Sequence, residues 1–291
     1  MKKSIVYLIL LICAKNVVAQ DFTLVKYKWD NRNRKYTYHI PAKYYTENKA
    51  VPLVMGLHGF GDDIENFKGI CMTSIADSAN YIVVYPEALP EPTLGSNAWN
   101  SGASIGNAAF NAGVDDIGFL NDIMDTMIAK FNIDTNRIYV FGYSFGGFMA
   151  HRMGAEVNHR IASIAAVSGL VGNKMTALPN RGIPVLYFHG TADQTINYFN
   201  CPYGKLPPKT VDFWVKQNQC DTIPSIDTLP DLKNDGKRVI HYTYSNGRDF
   251  SIVEFYKIIN GEHEWLSAAE NDISYCQTIW NFLKNIKKMD L

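Results

Sequence analysis

Neither sign of charge is in excess in this 291-residue chain: 28 lysines and arginines stand against 28 aspartates and glutamates. With no basic surplus and no run of lysine and arginine, the electrostatic footprint of a nucleic-acid binder is missing. Cysteine is sparse, five in all, and no C-x-x-C pair or Cys/His cluster at ligand spacing occurs, so no zinc site is expected. The continuous apolar run from Ile5 to Cys13 is too short to span a bilayer comfortably. Repeats, low-complexity tracts and linkers are absent too, which argues against a second domain.

What is present begins with that apolar run. Met1-Lys-Lys3 precedes it and Asn16-Val-Val-Ala19 follows, the pattern of a secretory signal peptide cleaved after Ala19. Lipoprotein cleavage at Cys13 is disfavoured by the bulk of Ile12. Residues 20–291 then form one domain, with no stable membrane insertion and no indication of oligomeric state. Cleavage removes three lysines and no acid, leaving 25 basic and 28 acidic residues. Cys71, Cys201, Cys220 and Cys276 remain, and export makes disulfides plausible, but four thiols allow three complete pairings that spacing does not separate.

Short continuous apolar runs mark strands buried on both faces: Val51–Leu57, Tyr81–Tyr85, Ile138–Phe141, Ile161–Val167 and Ile183–Phe188. Helical spacing lies between them, as in Ile117, Leu120, Met124, Met127 or Ile128, and Phe131. That alternation predicts an α/β fold with a mostly parallel central sheet flanked by helices. An N-terminal β-hairpin is expected from Phe22–Trp29 and Tyr36–Ile40 across the polar residues 30–35. Two later strands, Arg238–Tyr244 and Phe250–Ile259, precede a last helix carrying Ile273, Cys276, Ile279, Trp280, Leu283 and Ile286 on one face. Glu87–Gly113 and Ser168–Arg181 have no period and read as binding loops or solvated surface.

Gly142-Tyr-Ser-Phe-Gly146 follows the strand Ile138–Phe141 and opens a helix-like pattern. A bare G-x-S-x-G is weak. Between strand and helix it is a sharp turn that only glycine tolerates on its flanks, and it lifts the Ser144 hydroxyl clear of the sheet edge. Serine attacks an acyl carbon only when a base takes its proton and a third group fixes that base. Asp193 lies just past the end of Ile183–Phe188, and His263 follows Ile259 in a loop, so both fall at the edge where Ser144 emerges. The chain order serine, acid, histidine selects this pair. His39, His151 and His159 precede the acid, His241 alternates inside a strand, and His58 and His189 sit in His-Gly pairs at strand ends. Asp115 and Asp116 are rivals for the acid, but a helix first turn already explains them.

Two backbone N–H groups must face the developing oxyanion. Phe145, directly after the nucleophile, and Phe60, in the glycine-rich turn after Leu57, are the candidates. Trp99, Phe148 and Trp265 fall in segments near the same edge and are candidate substrate contacts, along with the rings of Phe60 and Phe145. The alternative is that some of these aromatics pack beneath the loops.

Seven motifs carry a wider resemblance: Leu53-Val-Met-Gly-Leu-His-Gly-Phe-Gly61, Tyr81-Ile-Val-Val-Tyr-Pro86, Trp99-Asn100, Asp115-Asp-Ile-Gly-Phe-Leu120, Gly142-Tyr-Ser-Phe-Gly-Gly147, Pro184-Val-Leu-Tyr-Phe-His-Gly-Thr-Ala-Asp193 and Gly261-Glu-His-Glu-Trp265. In this order they resemble the secreted feruloyl esterase and poly(3-hydroxybutyrate) depolymerase family of α/β hydrolases. The resemblance implies ester hydrolysis through an acyl-enzyme, with no metal or organic cofactor, on the same three residues. Two departures, Phe145 in place of asparagine and Gly261-Glu-His-Glu-Trp-Leu266 in place of Gly-Gly-His-x-Trp-Pro, bear on the acyl pocket. The expectation is a secreted serine esterase acting on feruloyl or other acyl esters of plant polysaccharide. The alternatives are a polyester depolymerase, a serine peptidase, which would carry an additional sorting domain, and a non-catalytic binding module, which has no need of all three residues.

Overall fold

The computed structural model describes residues 22–106 and 108–288. The signal peptide expected at residues 1–19 lies outside them. In chain order the elements are β1 (Phe22–Trp29), β2 (Arg32–His39), α1 (Ala42–Glu47), β3 (Val51–Leu57), α2 (Ile64–Phe67), α3 (Met72–Ala79) and β4 (Ile82–Pro86). A minor hairpin, β5 (Ser104–Ile105) and β6 (Ala108–Ala109), precedes α4 (Asp116–Lys130), β7 (Ile133–Tyr143), α5 (Phe145–Glu156), β8 (Ser163–Val167) and β9 (Val185–Gly190). Then come α6 (Pro207–Asn218), β10 (Ser225–Thr228), β11 (Arg238–Tyr244), β12 (Val253–Ile259) and α7 (Tyr275–Leu283).

Ten of these strands form one sheet in the order β1-β2-β4-β3-β7-β8-β9-β12-β11-β10. The six central strands, β4 to β12, pair in parallel, and an antiparallel pair completes each edge. All residues of β3, β4, β8 and β9 are buried, as continuous apolar runs require when helices cover both faces. One face carries Phe119, Leu120 and Met124 of α4, Phe148 and Met149 of α5, and Trp214 of α6. The other carries Met72 and Ala76 of α3 and Ile279 and Leu283 of α7. This is the α/β-hydrolase architecture, and it brings the C-terminal ends of the parallel strands to one edge. Among the described residues no helix is long and apolar enough to cross a membrane.

The edges depart from expectation. The first hairpin closes through two residues, Asp30 and Asn31, both with positive φ (47° and 56°), so residues 32–35 belong to β2. Asn and Asp are the residues that accept such a primed turn. The polar appearance of this stretch misled because Arg34 is buried within the sheet layer, paired with Asp116 of α4 at 2.7 Å and stacked 3.7 Å above the Phe119 ring. At the opposite edge, residues 248–250 form a 3₁₀ turn with Phe250 84% exposed, so β12 begins only at Val253. Strand β10 is exposed at every residue and offers no alternation to detect.

One pairing of the four thiols is present: Cys71, at the N-cap of α3, is bonded to Cys276 of α7, and Cys201 and Cys220 are free and buried. The bond closes a sequence separation of 205 residues, for which loop entropy alone suggests a stabilisation on the order of 5 kcal/mol.

Candidate active site

Ser144 stands between β7 and α5 with φ 54° and ψ −120°, a strained conformation for a non-glycine residue. The flanking glycines are dictated by space. A Cβ on Gly142 would meet the Gly146 carbonyl oxygen at 2.0 Å, and one on Gly146 would meet the Leu57 carbonyl oxygen at 1.9 Å. The Ser144 N–H donates to the Val167 carbonyl at 2.8 Å, anchoring the turn to the end of β8.

The loop after β12 brings His263 to this hydroxyl, with Nε2 3.0 Å from Ser144 Oγ and Nδ1 2.8 Å from Asp193 Oδ2. Asp193 Oδ1 accepts the Thr195 and Ile196 N–H groups at 2.9 and 2.7 Å, which fixes the carboxylate on its own turn. Burial pushes this carboxyl up, but the hydrogen bond and charge of His263, the neighbouring His189 and the Ile196 N–H outweigh it and hold Asp193 below the usual carboxylate range. An ionised Asp193 accepts the Nδ1–H of a neutral His263, leaving Nε2 as acceptor toward Ser144. Tyr143, on β7, donates its hydroxyl to the His263 carbonyl at 3.0 Å, with the two rings 5.0 Å apart. The rival acids are engaged elsewhere: Asp115 caps α4 through the Gly118 N–H, and Asp116 binds Arg34 and the Asn100 N–H.

The turn after β3 lies against the serine, where a Cβ on Gly59 would come within 3.3 Å of Ser144 Cβ. His58 latches this turn. Its Nε2 accepts the Ala88 N–H at 3.0 Å, so the proton sits on Nδ1 and donates to the Gly59 carbonyl at 2.7 Å. The Trp99 indole N–H donates to the His58 carbonyl at 2.9 Å, and the Gly61 N–H to Asn97 O at 2.8 Å. Phe60 is held between these anchors. Phe145 is the first residue of α5, where a backbone N–H has no acceptor within the helix.

Trp99 and Phe148 are fully buried, a correction to their expected contact with a ligand. Trp99 supports the 58–62 turn from below, and Phe148 packs behind Phe145 with ring centroids 5.5 Å apart. Position near a strand end says nothing of depth. Trp265, two residues after His263 in the same loop, is half-buried among Phe67, Phe141, Tyr143 and Tyr275. The aromatics grouped beside the serine are instead Phe60, Phe110, Phe145 and Tyr203. Phe110 lies 4.9 Å from Phe145 and 6.2 Å from Phe60, and Tyr203 is 6.1 Å from Phe110. Phe110 comes from the aperiodic stretch 87–113, read above as a binding loop or solvated surface, and Tyr203 from a segment that gave no signal. Asn173 ties those segments together through Ser104 and the Tyr203 carbonyl.

Among the described residues the carboxylates able to converge on a cation are Asp231, Asp235 and Asp272; the first two accept backbone N–H bonds of their own turns, and Asp272 accepts those of Leu232 and Lys233. They contribute nothing to the Ser144 site.

The sheet order, the strained serine and its hydrogen-bonded histidine define an α/β hydrolase. Residues 43–205 match the phospholipase/carboxylesterase family, and the chain belongs to it. It is 30% identical over 151 residues to the bifunctional acetylxylan esterase/xylanase XynS20E of Neocallimastix patriciarum, a match covering 50% of this chain and 20% of that protein. The chain thus spans only about a fifth of that relative. Feruloyl esterase D of Neurospora crassa is 22% identical over 288 residues, covering 93% of this chain and 88% of the relative. A CE1 ferulic acid esterase structure from the anaerobic fungus Anaeromyces mucronatus superposes with a TM-score of 0.58 at 17% identity, covering 94% and 92% of the two chains. At that identity the likeness is one of fold.

Two buried imidazoles give this fold a pH dependence of its own. Burial pulls His189 down to about 4 and His151 to about 3, from an ordinary value near 6.5, and lowers His58 as well. The unfolded chain takes up protons at His151 and His189 below about pH 6.5, and the folded chain does so only below about pH 5. Stability is therefore full above pH 6.5 and falls on acidification. From pH 7 to 5, His151 and His189 together account for a loss of roughly 3–4 kcal/mol, at about 1.4 kcal/mol per unit for each. Urea midpoints at the two pH values check this; equal midpoints contradict it.

Proposed function

We propose that this chain is a secreted serine esterase that hydrolyses ester-linked acyl groups on plant polysaccharide, with aromatic acyl groups of the feruloyl type preferred. The observation that carries the reading is the hydrogen-bonded series Ser144–His263–Asp193 beside the ring group of Phe60, Phe110, Phe145 and Tyr203. In this mechanism Ser144 Oγ attacks the ester carbonyl carbon as His263 Nε2 takes its proton. The oxyanion faces the N–H groups of Phe145 and Phe60, and the N-terminus of α5 adds its dipole. The imidazolium then gives its proton to the departing alcohol oxygen. Water enters, His263 again acts as base, and the acid leaves with Ser144 restored.

Support for the substrate class comes from relatives named feruloyl esterase and acetylxylan esterase. Support for secretion comes from the N-terminal pattern and from a disulfide, a bond that persists in oxidising compartments.

Hydrolysis of methyl ferulate, acetylated xylan, p-nitrophenyl acetate and a 3-hydroxybutyrate oligomer tests the reading. Burying an aromatic acyl group among these rings is worth about 2–3 kcal/mol, so kcat/KM on the feruloyl ester should exceed that on acetyl esters of matched leaving group by about 30-fold or more. Phe110→Ala should erase most of that margin and spare acetyl turnover. Equal rates on feruloyl and acetyl esters reject the aromatic pocket, and faster cleavage of the hydroxybutyrate oligomer points to the depolymerase alternative.

A further inference from the structure

His189 is a fully buried imidazole that the mechanism above leaves unused. It is the penultimate residue of β9, two residues after Tyr187 and four before Asp193. Its Nε2 lies 2.7 Å from the Ile196 carbonyl oxygen and 3.5 Å from Asp193 Oδ2, and its Nδ1 lies 2.7 Å from the Tyr187 hydroxyl. A carbonyl and a carboxylate both accept, so Nε2 must carry the proton. Nδ1 is then a bare lone pair, and the Tyr187 O–H donates to it. The tautomer is thereby set by two neighbours. Its Nε2–H bonds to the Ile196 carbonyl, and the carboxylate oxygen that also serves His263 lies 3.5 Å from the same nitrogen, close enough to feel the N–H dipole without a hydrogen bond to it.

We propose that His189 is a positioning residue for Asp193: its Nε2–H, held in place by Tyr187, steadies the orientation of the carboxylate and draws off part of its charge, which tempers the basicity of His263. This rests on the reading of Ser144, His263 and Asp193 as the catalytic series. The carboxylate has two backbone N–H groups on Oδ1 and the His263 hydrogen bond on Oδ2 at 2.8 Å, with His189 Nε2 a further electrostatic neighbour of that oxygen at 3.5 Å. Removing the longer contact concentrates the negative charge on the shorter one. His263 then holds its proton more tightly and ceases to act as a base at a higher pH.

Several titratable or charged groups face His189. Tyr187 lies on its own strand, and His151 approaches from α5 with its ring 5.5 Å from that of Tyr187. The following loop contributes Asp193, Tyr198, whose ring is 5.9 Å away, and Cys201, which acts on Tyr187. Lys257 sits opposite His189 in the β9–β12 register, with Nζ 5.5 Å above the Tyr198 ring, and His263 completes the set. A neutral His189 adds a dipole to this group without adding a charge.

The test is the pH profile of kcat/KM on p-nitrophenyl acetate for the full chain. His189→Leu should move the acid limb upward by about half to one pH unit, through loss of an N–H dipole beside the buried carboxylate, and lower kcat on the order of tenfold. His189→Gln, whose amide can return an N–H to the Nε2 position, should bring the limb back toward the parent. Tyr187→Phe removes the donor that holds the ring through Nδ1 while the Ile196 carbonyl keeps the proton on Nε2, so the looser ring should shift the limb in the same direction as Leu and by less. If His189→Leu does not fold, as judged by circular dichroism, Tyr187→Phe and His189→Gln carry the test. An unmoved limb in the folded Leu and Phe variants, or a Gln variant displaced as far as Leu, overturns the proposal. Ser144→Ala run in parallel separates the two levels: full activity there removes the catalytic reading itself, whereas an inactive Ser144→Ala with unmoved limbs removes only the role of His189.

Discussion

Replacing Ser144 with alanine lowers kcat by about four to six orders of magnitude and leaves the fold in place. Members of a nucleophile–base–acid series act as a unit, so losing the attacking oxygen forfeits nearly all that the base and acid add, and only oxyanion stabilisation and substrate binding remain. The fold should survive because the side chain makes one hydrogen bond, to His263, and the anchoring contact to Val167 is made by the backbone. Alanine also meets the strained φ of 54° on terms close to those of serine. Turnover of p-nitrophenyl acetate with circular dichroism on the same sample decides it. A folded Ser144→Ala protein with parental turnover rules out the mechanism.

Asp193→Asn should be nearly as severe, at about four orders of magnitude in kcat, and the hydrogen bonds show why. Oδ1 accepts two backbone N–H groups, so the asparagine carbonyl oxygen must keep that side and the amide NH2 must turn toward His263. There the new donor meets the Nδ1–H of His263 and the Nε2–H of His189, so donors face donors. His263 escapes by moving its proton to Nε2, which leaves it unable to accept from Ser144. Asp116→Asn is the control. Asp116 pairs with the buried Arg34, so its replacement should reduce thermal stability by a few kcal/mol while kcat stays within a fewfold of the parent. If kcat collapses in Asp116→Asn and survives in Asp193→Asn, the acid has been assigned to the wrong residue.

The parallel core of the sheet was legible in the sequence because strands covered on both faces must be apolar throughout, as β3, β4, β8 and β9 are. Ser144, Asp193 and His263 lie 70 or more positions apart in part, yet each follows a parallel strand, and strand ends share an edge. Chain order therefore sufficed to bring them together on paper. Edges were harder. Arg32–Lys35 looks like a loop until its partner Asp116 is known, and β10 has no buried face to leave a pattern. Depth was invisible: Trp99 and Phe60 come from equally plausible loops, but one is fully buried and the other 39% exposed. The disulfide depends on how α3 and α7 meet across one face, which spacing does not encode. Phe110 and Tyr203 join the site only because three aperiodic segments are cross-tied through Asn173.

The most direct measurement is covalent trapping of the nucleophile. A fluorophosphonate incubated with the full chain, followed by proteolysis and mass spectrometry, should place one phosphonyl group on the peptide containing Ser144, in proportion to lost esterase activity. Labelling should fall sharply in Asp193→Asn, since the hydroxyl is no longer activated. A chain that hydrolyses esters while Ser144 stays unmodified, or that carries the adduct on another residue, contradicts the account at its centre.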